Sequence, residues 1–319
     1  MYCAIFVRHS RPPDPLLALN VIALIVALLL EQWRPLGDRK AWLALASQWA
    51  RWIEESFNAG EERHGLVAWA VAVGAVVVAA GALYGFLAWA HPLLAMLFNV
   101  AALYLTLGFR QFSHHFTGIQ SALKAGDLDR ARELIGAWRG EPAGHRTREE
   151  VVRLTIEEAL AASHRHVFGV LFWYIVLPGP SGAILFRLSH FVRRRWGGLG
   201  AFGRFASKVH ALLEWPAVRL TAFGFAVVGD FEDAVYCWRT QSAAWPDPAQ
   251  GIVLASGAGA MGVRLGQPIS SDGGMAPRPE LGVGEAADVP YLDSTVGLVW
   301  RALVLWVMLY LIVSVARIF

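Results

Sequence analysis

Charged residues are absent from two long apolar stretches in the first third of the chain. The first runs from Gly65 to Ala90, and at about 1.5 Å of helical rise per residue it is long enough to cross about 30 Å of hydrocarbon. The second runs from Pro92 to Gly108, directly after His91. Two adjacent uncharged stretches of this length predict a transmembrane helical hairpin rather than helices buried in a soluble core.

Apolar residues also predominate near both ends of the chain. The stretch from Val296 to Ile318 predicts a further transmembrane helix, because Arg301 lies close enough to its start to extend toward the membrane surface. The stretch from Leu16 to Leu30 is shorter and ends at Glu31. No small-residue cleavage site precedes that glutamate, so we interpret the stretch as an anchor rather than a signal peptide.

A proline break at Pro178–Pro180 divides the apolar stretch from 167 to 186. Each half is too short to cross a bilayer, and the break frees backbone groups that need partners. This pattern predicts a re-entrant or interfacial helical hairpin. Arginine and lysine are abundant on both sides of it, and such basic segments prefer the cytoplasm. We therefore expect residues 110 to about 293 to be cytoplasmic and the turn at 91–92 to be periplasmic.

These patterns divide the chain into four parts. They are a disordered tail (1–15), an N-terminal membrane region (16–109), a cytoplasmic or interfacial helical region with a loop-rich end (110–295) and a C-terminal transmembrane helix (296–319). The loop prediction rests on the glycine and proline content of the stretch from Ser256 to Pro290.

Two amphipathic helices are predicted within the third part. Asp127 is expected to cap a helix that runs through Trp138. Thr147 and Glu150 have the spacing of a capping box at the start of a second helix, which runs toward Ala162. We expect both helices to lie at the surface or to dock on a partner.

The composition argues against a soluble enzyme. Hydrophobic residues make up 56% of the chain and charged residues 17%, and the mean hydropathy is +0.44, which leaves too little polar material for a water-facing surface. The net charge of +3 is modest. Its clustering, clearest at Arg193–Arg195, is typical of a topology determinant or of contact with anionic membrane lipids, and no nucleic-acid-binding module is present. The predicted fold class is all-α, a polytopic integral membrane protein of a bacterial inner membrane.

Several motifs carry potential chemistry, each with a simpler structural interpretation. The histidine pairs His114-His115 and His164-x-His166 would need further ligands to bind a metal, so no metal site is predicted. The spacing Gly257-x-Gly259-x-x-Gly262 matches a dinucleotide-binding loop but lacks a preceding strand. Cys3 and Cys237 are too few for a disulfide framework.

Acidic residues supply the candidate ligand-binding groups. Asp230, Glu232 and Asp233 form one cluster, and Glu157 and Glu158 lie on the second amphipathic helix. Either group offers carboxylates for Mg²⁺ and a substrate phosphate. A helix cap or a solvated helix face is the favoured alternative for both.

Four segments together resemble the CobD/CbiB family of cobalamin-biosynthesis membrane proteins. They are Leu171–Tyr174, Gly179–Ala183, Trp215–Ala222 and Gly257–Gly266. The resemblance covers about residues 16 to 316. It implies adenosylcobinamide-phosphate synthase activity, which forms an amide bond between an aminopropanol phosphate and adenosylcobyric acid with ATP and Mg²⁺.

Departures from the family pattern fall on its acidic and amide positions. Glu157 is retained, whereas other residues replace the family's remaining acidic and amide groups: Ala161, Ala162, Arg165, His190, Arg193, His210 and Ala211. A Mg²⁺-dependent condensation needs carboxylates to hold the metal, so these exchanges predict loss of the parental catalytic site. No cofactor is therefore predicted, and Mg²⁺ and ATP apply only to the synthase alternative.

The AmpE branch of the family is similar in other segments. Its motifs are echoed by Leu30–Gly37 and Leu213–Leu220, and this branch is described as a membrane sensor linked to β-lactamase induction and cell-wall recycling. The predicted function is thus a regulatory or binding membrane protein whose ligand is a corrinoid or a cell-wall-derived small molecule. A divergent synthase and a transporter are the alternatives. Glu157 and Arg219 are retained residues and are the first candidates for ligand contact if a ligand is bound. Their simpler interpretations are a solvated helix face for Glu157 and a helix-end carbonyl or lipid contact for Arg219. A homo-oligomer is compatible with this class.

Overall fold

The computed structural model describes residues 15–33, 39–271 and 274–316, and helices dominate them. Residues 1–14 of the predicted tail (1–15) lie outside these residues, and Pro15 is the first residue of α1. The helices up to residue 139 are α1 (Pro15–Trp33), α2 (Arg39–Phe57), α3 (Glu62–Trp69), α4 (Ala75–Ala90), α5 (Pro92–Thr106), α6 (Phe109–Lys124) and α7 (Leu128–Arg139). A π-helical turn, Ala70–Gly74, joins α3 to α4.

The remaining helices build the interior of the protein. They are α8 (Arg148–Ser163), α9 (Gly169–Val176), α10 (Ser181–Trp196), α11 (Gly200–Val228), α12 (Phe231–Gln241), α13 (Pro248–Met261) and α14 (Pro290–Ala316). A second π-helical turn, His164–Phe168, joins α8 to α9. Five short strands follow α13: β1 (Val263–Gly266), β2 (Ile269–Ser271), β3 (Gly274–Ala276), β4 (Glu280–Leu281) and β5 (Glu285–Ala286).

Among the described residues, three helical segments are long and apolar enough to cross a membrane. They are Glu62–Ala90, Gly200–Val228 and Pro290–Ala316, and the apolar segments Ala18–Trp33 and Pro92–Thr106 are shorter. The predicted all-α membrane protein is confirmed, as are the apolar helices expected over 65–90 and near the C-terminus. The segment Gly200–Val228 was not predicted as a span, because Lys208, His210 and Glu214 interrupt its apolar sequence.

Polar side chains link the apolar helices to one another. The Asn20 side-chain oxygen of α1 accepts hydrogen bonds from Asn99 Nδ2 of α5 (2.6 Å) and from the Tyr84 hydroxyl of α4 (3.2 Å). The Tyr174 hydroxyl of α9 donates to the Asn20 carbonyl (2.9 Å). Such bonds hold helices together where the surroundings offer no competing water.

The predicted helical hairpin is formed by α9 and α10, with the break at residues 177–180. Gly179 adopts a left-handed conformation with φ of +62°, and its α-carbon packs against the Tyr84 ring. Gly182 lies against the Trp173 carbonyl, so closely that a β-carbon would stand 1.8 Å from that oxygen. The glycines therefore allow the two arms to fold back on each other.

Both predicted helix caps are present. Asp127 accepts a hydrogen bond from the Arg130 backbone, and Thr147 and Glu150 form the capping box. The expectation that both helices lie at the surface is wrong for α8, which is buried along nearly its whole length. It packs against α6, α7, α13 and α14, so it occupies the centre of the protein.

The predicted loop from Ser256 to Pro290 is only partly a loop. Ser256 to Met261 belong to α13, where Gly257 packs against Leu160 and Gly259 packs against the Asp233 carbonyl. These glycines serve close helix packing and not a dinucleotide loop. The strand β1 then pairs with β4 in antiparallel and with β5 in parallel orientation, and β2 pairs with β3.

Charged side chains of α8 anchor this strand segment. Glu150 accepts hydrogen bonds from Ser270 N (2.7 Å) and Oγ (3.0 Å). Arg153 donates to the Pro268 carbonyl (3.0 Å). Glu157 accepts from Gly266 N (3.0 Å). The segment is therefore held on the central helix at three successive turns.

Candidate functional site

A pocket of about 320 Å³ lies where the second hairpin arm, α10, meets the end of α8, α11 and the start of α13. Ala161 and Arg165 reach it from the end of α8 and the π-helical turn, and His190 and Arg193 reach it from α10. These are four of the seven positions where the sequence departs from the family pattern. Residues that are 32 positions apart thus meet at one place because the hairpin returns to the end from which it started.

Two carboxylates line the pocket, and one arginine binds both of them. Arg193 donates from Nη1 to Glu214 Oε2 (3.1 Å) and from Nη2 to Asp247 Oδ2 (3.3 Å). Asp247 also caps α13 by accepting from the backbone of Ala249 (3.0 Å) and Gln250 (3.3 Å). Arg193 is therefore part of a partly exposed ion network and is not only a lipid contact, as its position in an arginine cluster had indicated.

The other two arginines of the pocket differ in their pairing. Arg165 forms an ion pair with Glu158, which lies seven residues earlier, about two turns back on α8. Arg194 is exposed, and no ion pair of its side chain is found among the described residues. The lining thus contains three guanidinium groups and two carboxylates, an excess of one positive charge that favours an anionic ligand.

Three histidines lie in or beside the pocket. His164 is 2% exposed, and its Nδ1 lies 2.9 Å from Thr221 Oγ1. Burial, reinforced by Arg165, lowers the pKa of His164 to about 3. His190 Nδ1 lies 3.3 Å from His210 Nε2, and burial together with His210 lowers the pKa of His190 well below its ordinary value. The imidazoles of His164 and His190 are therefore neutral at physiological pH.

The pocket residues do not fit Mg²⁺. Its two carboxylates are already bound by Arg193, and a cation placed between them would meet that guanidinium at close range. Within the described residues, no three His, Cys, Asp or Glu side chains lie close enough together to hold a metal ion. His115 stacks on Trp138, with ring centroids 5.8 Å apart, in a packing role.

A larger depression of about 580 Å³ lies elsewhere, between α7 and the loop after it. Asp129, Arg132 and Glu133 line it, and these side chains form surface ion pairs. It contains no histidine or buried carboxylate. We therefore place the candidate site in the smaller pocket.

Comparison with known proteins identifies the family. Residues 24–299 match the model of the CobD/Cbib protein family. The chain belongs to the CobD/CbiB family. It is 33% identical over 301 residues to a protein of Stutzerimonas stutzeri, covering 91% of this chain and 96% of that protein. It is 36% identical over 235 residues to a protein of Chromobacterium violaceum, covering 72% and 75%.

Both of these relatives are named "Cobalamin biosynthesis protein CobD". A protein of Mycobacterium tuberculosis with the same name is 27% identical over 249 residues, covering 73% of this chain and 78% of that protein. No solved structure matches the chain.

In this CobD/CbiB protein, Glu157 lies outside the pocket lining. Its side chain is 1% exposed, so the alternative of a solvated helix face is wrong. It accepts from the Gly266 backbone and forms an ion pair with Arg278, whose guanidinium lies 4.8 Å from the centre of the Trp245 ring. The structure therefore gives Glu157 an anchoring role.

Arg219 also lies outside the lining. Its Nη1 donates to the Trp215 carbonyl (2.9 Å), and its guanidinium lies 4.1 Å from the centre of the Trp215 ring. This is the helix-carbonyl contact that was the simpler interpretation of this residue.

The predicted acidic cluster serves as a helix cap. Asp230 accepts from the Asp233 backbone (3.0 Å) at the start of α12, and Glu232 is exposed. None of these three residues lines the pocket. His164, Glu214 and Asp247 were not predicted to share a site. Asp247 carries a usable signal, because an aspartate directly before a proline is typical of a helix start.

Proposed function

We propose that this CobD/CbiB protein is a multi-pass inner-membrane protein that binds a small anionic molecule and acts in regulation, without Mg²⁺-dependent synthase chemistry. The ion network of Arg193 with Glu214 and Asp247 carries the proposal. Removing the arginine would be needed before either carboxylate could accept a metal ion. A pocket of this kind supports binding of an anion directly by arginine.

The candidate ligands are those that the resemblance implied. A corrinoid and a cell-wall-derived compound both carry carboxylate or phosphate groups that suit guanidinium donors. The AmpE-like motifs favour a signalling role, and membrane lipids surround the apolar helices in either case.

A complementation assay tests the absence of synthase activity. The gene is expressed in a bacterial strain that lacks its own adenosylcobinamide-phosphate synthase, and growth is measured under cobalamin-dependent conditions. We expect no rescue from a protein that is shown by membrane fractionation to be inserted. Reintroduction of the strain's own synthase is the positive control, and rescue by this protein would refute the proposal.

A gain-of-function variant sharpens the assay. The triple variant Ala161→Glu, Arg165→Asp and Arg193→Asp restores acidic groups at three positions of the pocket. If loss of carboxylates explains the lack of synthase activity, the triple variant should rescue growth in part. A matched Arg219→Asp variant, which adds a carboxylate outside the pocket, should not.

A divergent synthase is the second candidate, and the names of the relatives favour it. A protein 33% identical over nearly its whole length is named for cobalamin biosynthesis. Under this candidate, the wild-type protein rescues growth and Arg193→Ala abolishes the rescue. Induction of β-lactamase in a deletion strain, measured in parallel, separates this outcome from a signalling role.

A further inference from the structure

The hydrogen bonds around His164 fix which of its ring nitrogens carries the proton. Thr221 Oγ1 donates its hydroxyl hydrogen to the Ala217 carbonyl (2.9 Å). That oxygen can therefore only accept from His164 Nδ1, which lies 2.9 Å away. These two contacts favour the tautomer with the proton on Nδ1, which leaves a lone pair on Nε2.

The Nε2 atom of His164 is a buried acceptor without a hydrogen bond to any described residue, on a residue that lines the pocket. His164 is 2% exposed and lines the cavity, and Nε2 makes no hydrogen bond with any residue that the structure describes. Glu214 Oε1 lies 3.9 Å from it, which is too far for a hydrogen bond. The strongly lowered pKa of His164 keeps the ring neutral, so Nε2 does not become a donor to that carboxylate.

We propose that His164 Nε2 accepts a hydrogen bond from the ligand, so that the pocket selects an oxyanion that carries its own O–H group, such as hydrogen phosphate or a singly protonated phosphomonoester. This deepens the proposed function and rests on it. The arginines bind the negative charge, and His164 accepts the remaining proton. An anion without a proton leaves the imidazole lone pair facing a ligand oxygen, which is repulsive.

Phosphate and sulfate are the matched probes. At about neutral pH inorganic phosphate retains an O–H group and sulfate retains none, although both are tetrahedral oxyanions of similar size. Binding to the purified full-length protein in detergent is measured by calorimetric titration. We expect phosphate to bind about tenfold or more tightly than sulfate. Equal affinity for the two anions would overturn the proposal.

Variants separate recognition of the proton from attraction of the charge. His164→Phe keeps the ring that packs edge-on against Phe186 but removes the acceptor, and it should reduce phosphate affinity to that for sulfate. His164→Gln retains a side-chain acceptor and should restore part of the preference. Arg194→Ala should lower the affinities for phosphate and for sulfate by the same factor. Equal weakening of both anions by His164→Phe would contradict the assigned role.

A spectroscopic measurement keeps the test decisive if His164→Phe does not fold. The ¹⁵N chemical shift of His164 Nε2 in the wild-type protein should move when phosphate is added and stay unchanged with sulfate. An unchanged shift with phosphate would count against the contact.

The source of the phosphate is tested in nanodiscs of phosphatidylcholine with and without phosphatidic acid. Displacement of bound phosphate by phosphatidic acid identifies a lipid headgroup, and no displacement identifies a soluble phosphate, each with the same O–H requirement.

Rescue in the cobalamin assay would refute the proposed function without abolishing the anion preference, whereas loss of the preference leaves the cobalamin result unchanged. The two failures are therefore distinguishable.

Discussion

Buried charges at single residues connect segments that are far apart in the chain. Glu157 and Arg278 are 121 positions apart and form an ion pair in which the glutamate is almost inaccessible to solvent. Taking such a charge out of water is costly, so the pair stabilises the fold only while both members are present. The strand segment 263–286 depends on this contact for its position on α8.

Substitution of Glu157 should therefore destabilise the protein. Glu157→Gln keeps an acceptor for Gly266 N but leaves the Arg278 charge without its partner. We expect the free energy of unfolding to fall by about 3 kcal/mol. Thermal unfolding in detergent measures the change. The exposed Glu232→Gln is the control and should differ from wild type by about 0.5 kcal/mol or less. Equal melting temperatures of the two variants would contradict this assignment.

Glu150 makes stability depend on pH. Burial acts to raise its pKa, but hydrogen bonds from Thr147 and Ser270 outweigh burial and hold the pKa below its ordinary value of 4.5. Because the folded-state pKa is the lower one, the carboxylate contributes to stability above that ordinary value. The contribution is lost as the pH falls through the folded-state pKa.

The measurement compares melting temperatures of wild type and Glu150→Gln over a pH series. The difference should be constant near neutral pH and should shrink as the pH falls below 4.5. Glu133→Gln, which removes an exposed ion pair with Arg130, is the control and should show a small difference. A melting-temperature difference between wild type and Glu150→Gln that grows as the pH falls would mean that folding raises the pKa of Glu150, which contradicts this prediction.

Local residue contacts were predictable from sequence and distant ones were not. The Asp127 cap and the capping box of Thr147 and Glu150 need partners only three residues away, so spacing alone reveals them. The partner of Glu157 depends on how the chain returns after α13, which no local pattern specifies. A solvated helix face was therefore the wrong interpretation of Glu157.

At the scale of elements, the hairpin of α9 and α10 positions the pocket. Its arms approach closely because Gly182 has no side chain at the Trp173 carbonyl. The proline break predicted the two arms correctly, since proline prevents continuation of a helix.

Gly182→Ala should open the hairpin. The added methyl group would stand 1.8 Å from the Trp173 carbonyl oxygen, so the backbone must shift. We expect a loss of about 1 to 3 kcal/mol in the free energy of unfolding. Gly198→Ala is the matched control, because nothing lies within 4 Å of its added β-carbon. Thermal unfolding of both variants tests this prediction, and similar melting temperatures would show that the approach of the arms is unimportant.

The segment that forms α11 was not predicted as a membrane span, and the distribution of its polar residues gives the physical reason. His210 and Glu214 lie on the face of α11 that is buried in the protein, together with Ala217 and Thr221, while Leu212 and Phe223 lie on the exposed face. Polar residues that face the pocket lower the mean hydropathy without contacting lipid. Linear sequence does not distinguish these two faces, so the ion network of the candidate site was not predicted.

At the scale of the whole molecule, contacts at both ends of α11 favour one side of the membrane. Near its start, Lys208 pairs with Glu62 at the beginning of the first apolar span (2.5 Å). After its end, Asp230 N donates to the Ala260 carbonyl (3.0 Å) of α13, which leads into the strands held by α8. We therefore expect α11 to lie along the membrane surface, although its length would allow it to cross.

Cysteine labelling tests this topology. In a protein with Cys3→Ser and Cys237→Ser, a single cysteine is introduced as His91→Cys, Gly198→Cys or Glu232→Cys. A membrane-impermeant maleimide should label the first in intact spheroplasts and the other two only after permeabilisation. Labelling of Gly198→Cys and Glu232→Cys from opposite sides would show that α11 crosses the membrane.

The π-helical turn at His164–Phe168 makes the length of this segment a determinant of the site. A π-helical turn contains one residue more than an α-helical turn. Deleting a single codon there would give an ordinary helix but would rotate α8 by about 100° relative to α9. Either the imidazole would leave its cavity or Tyr174 would leave Asn20. The extra residue thus allows α8 and α9, which form one continuous helical segment, to be oriented independently about their common axis.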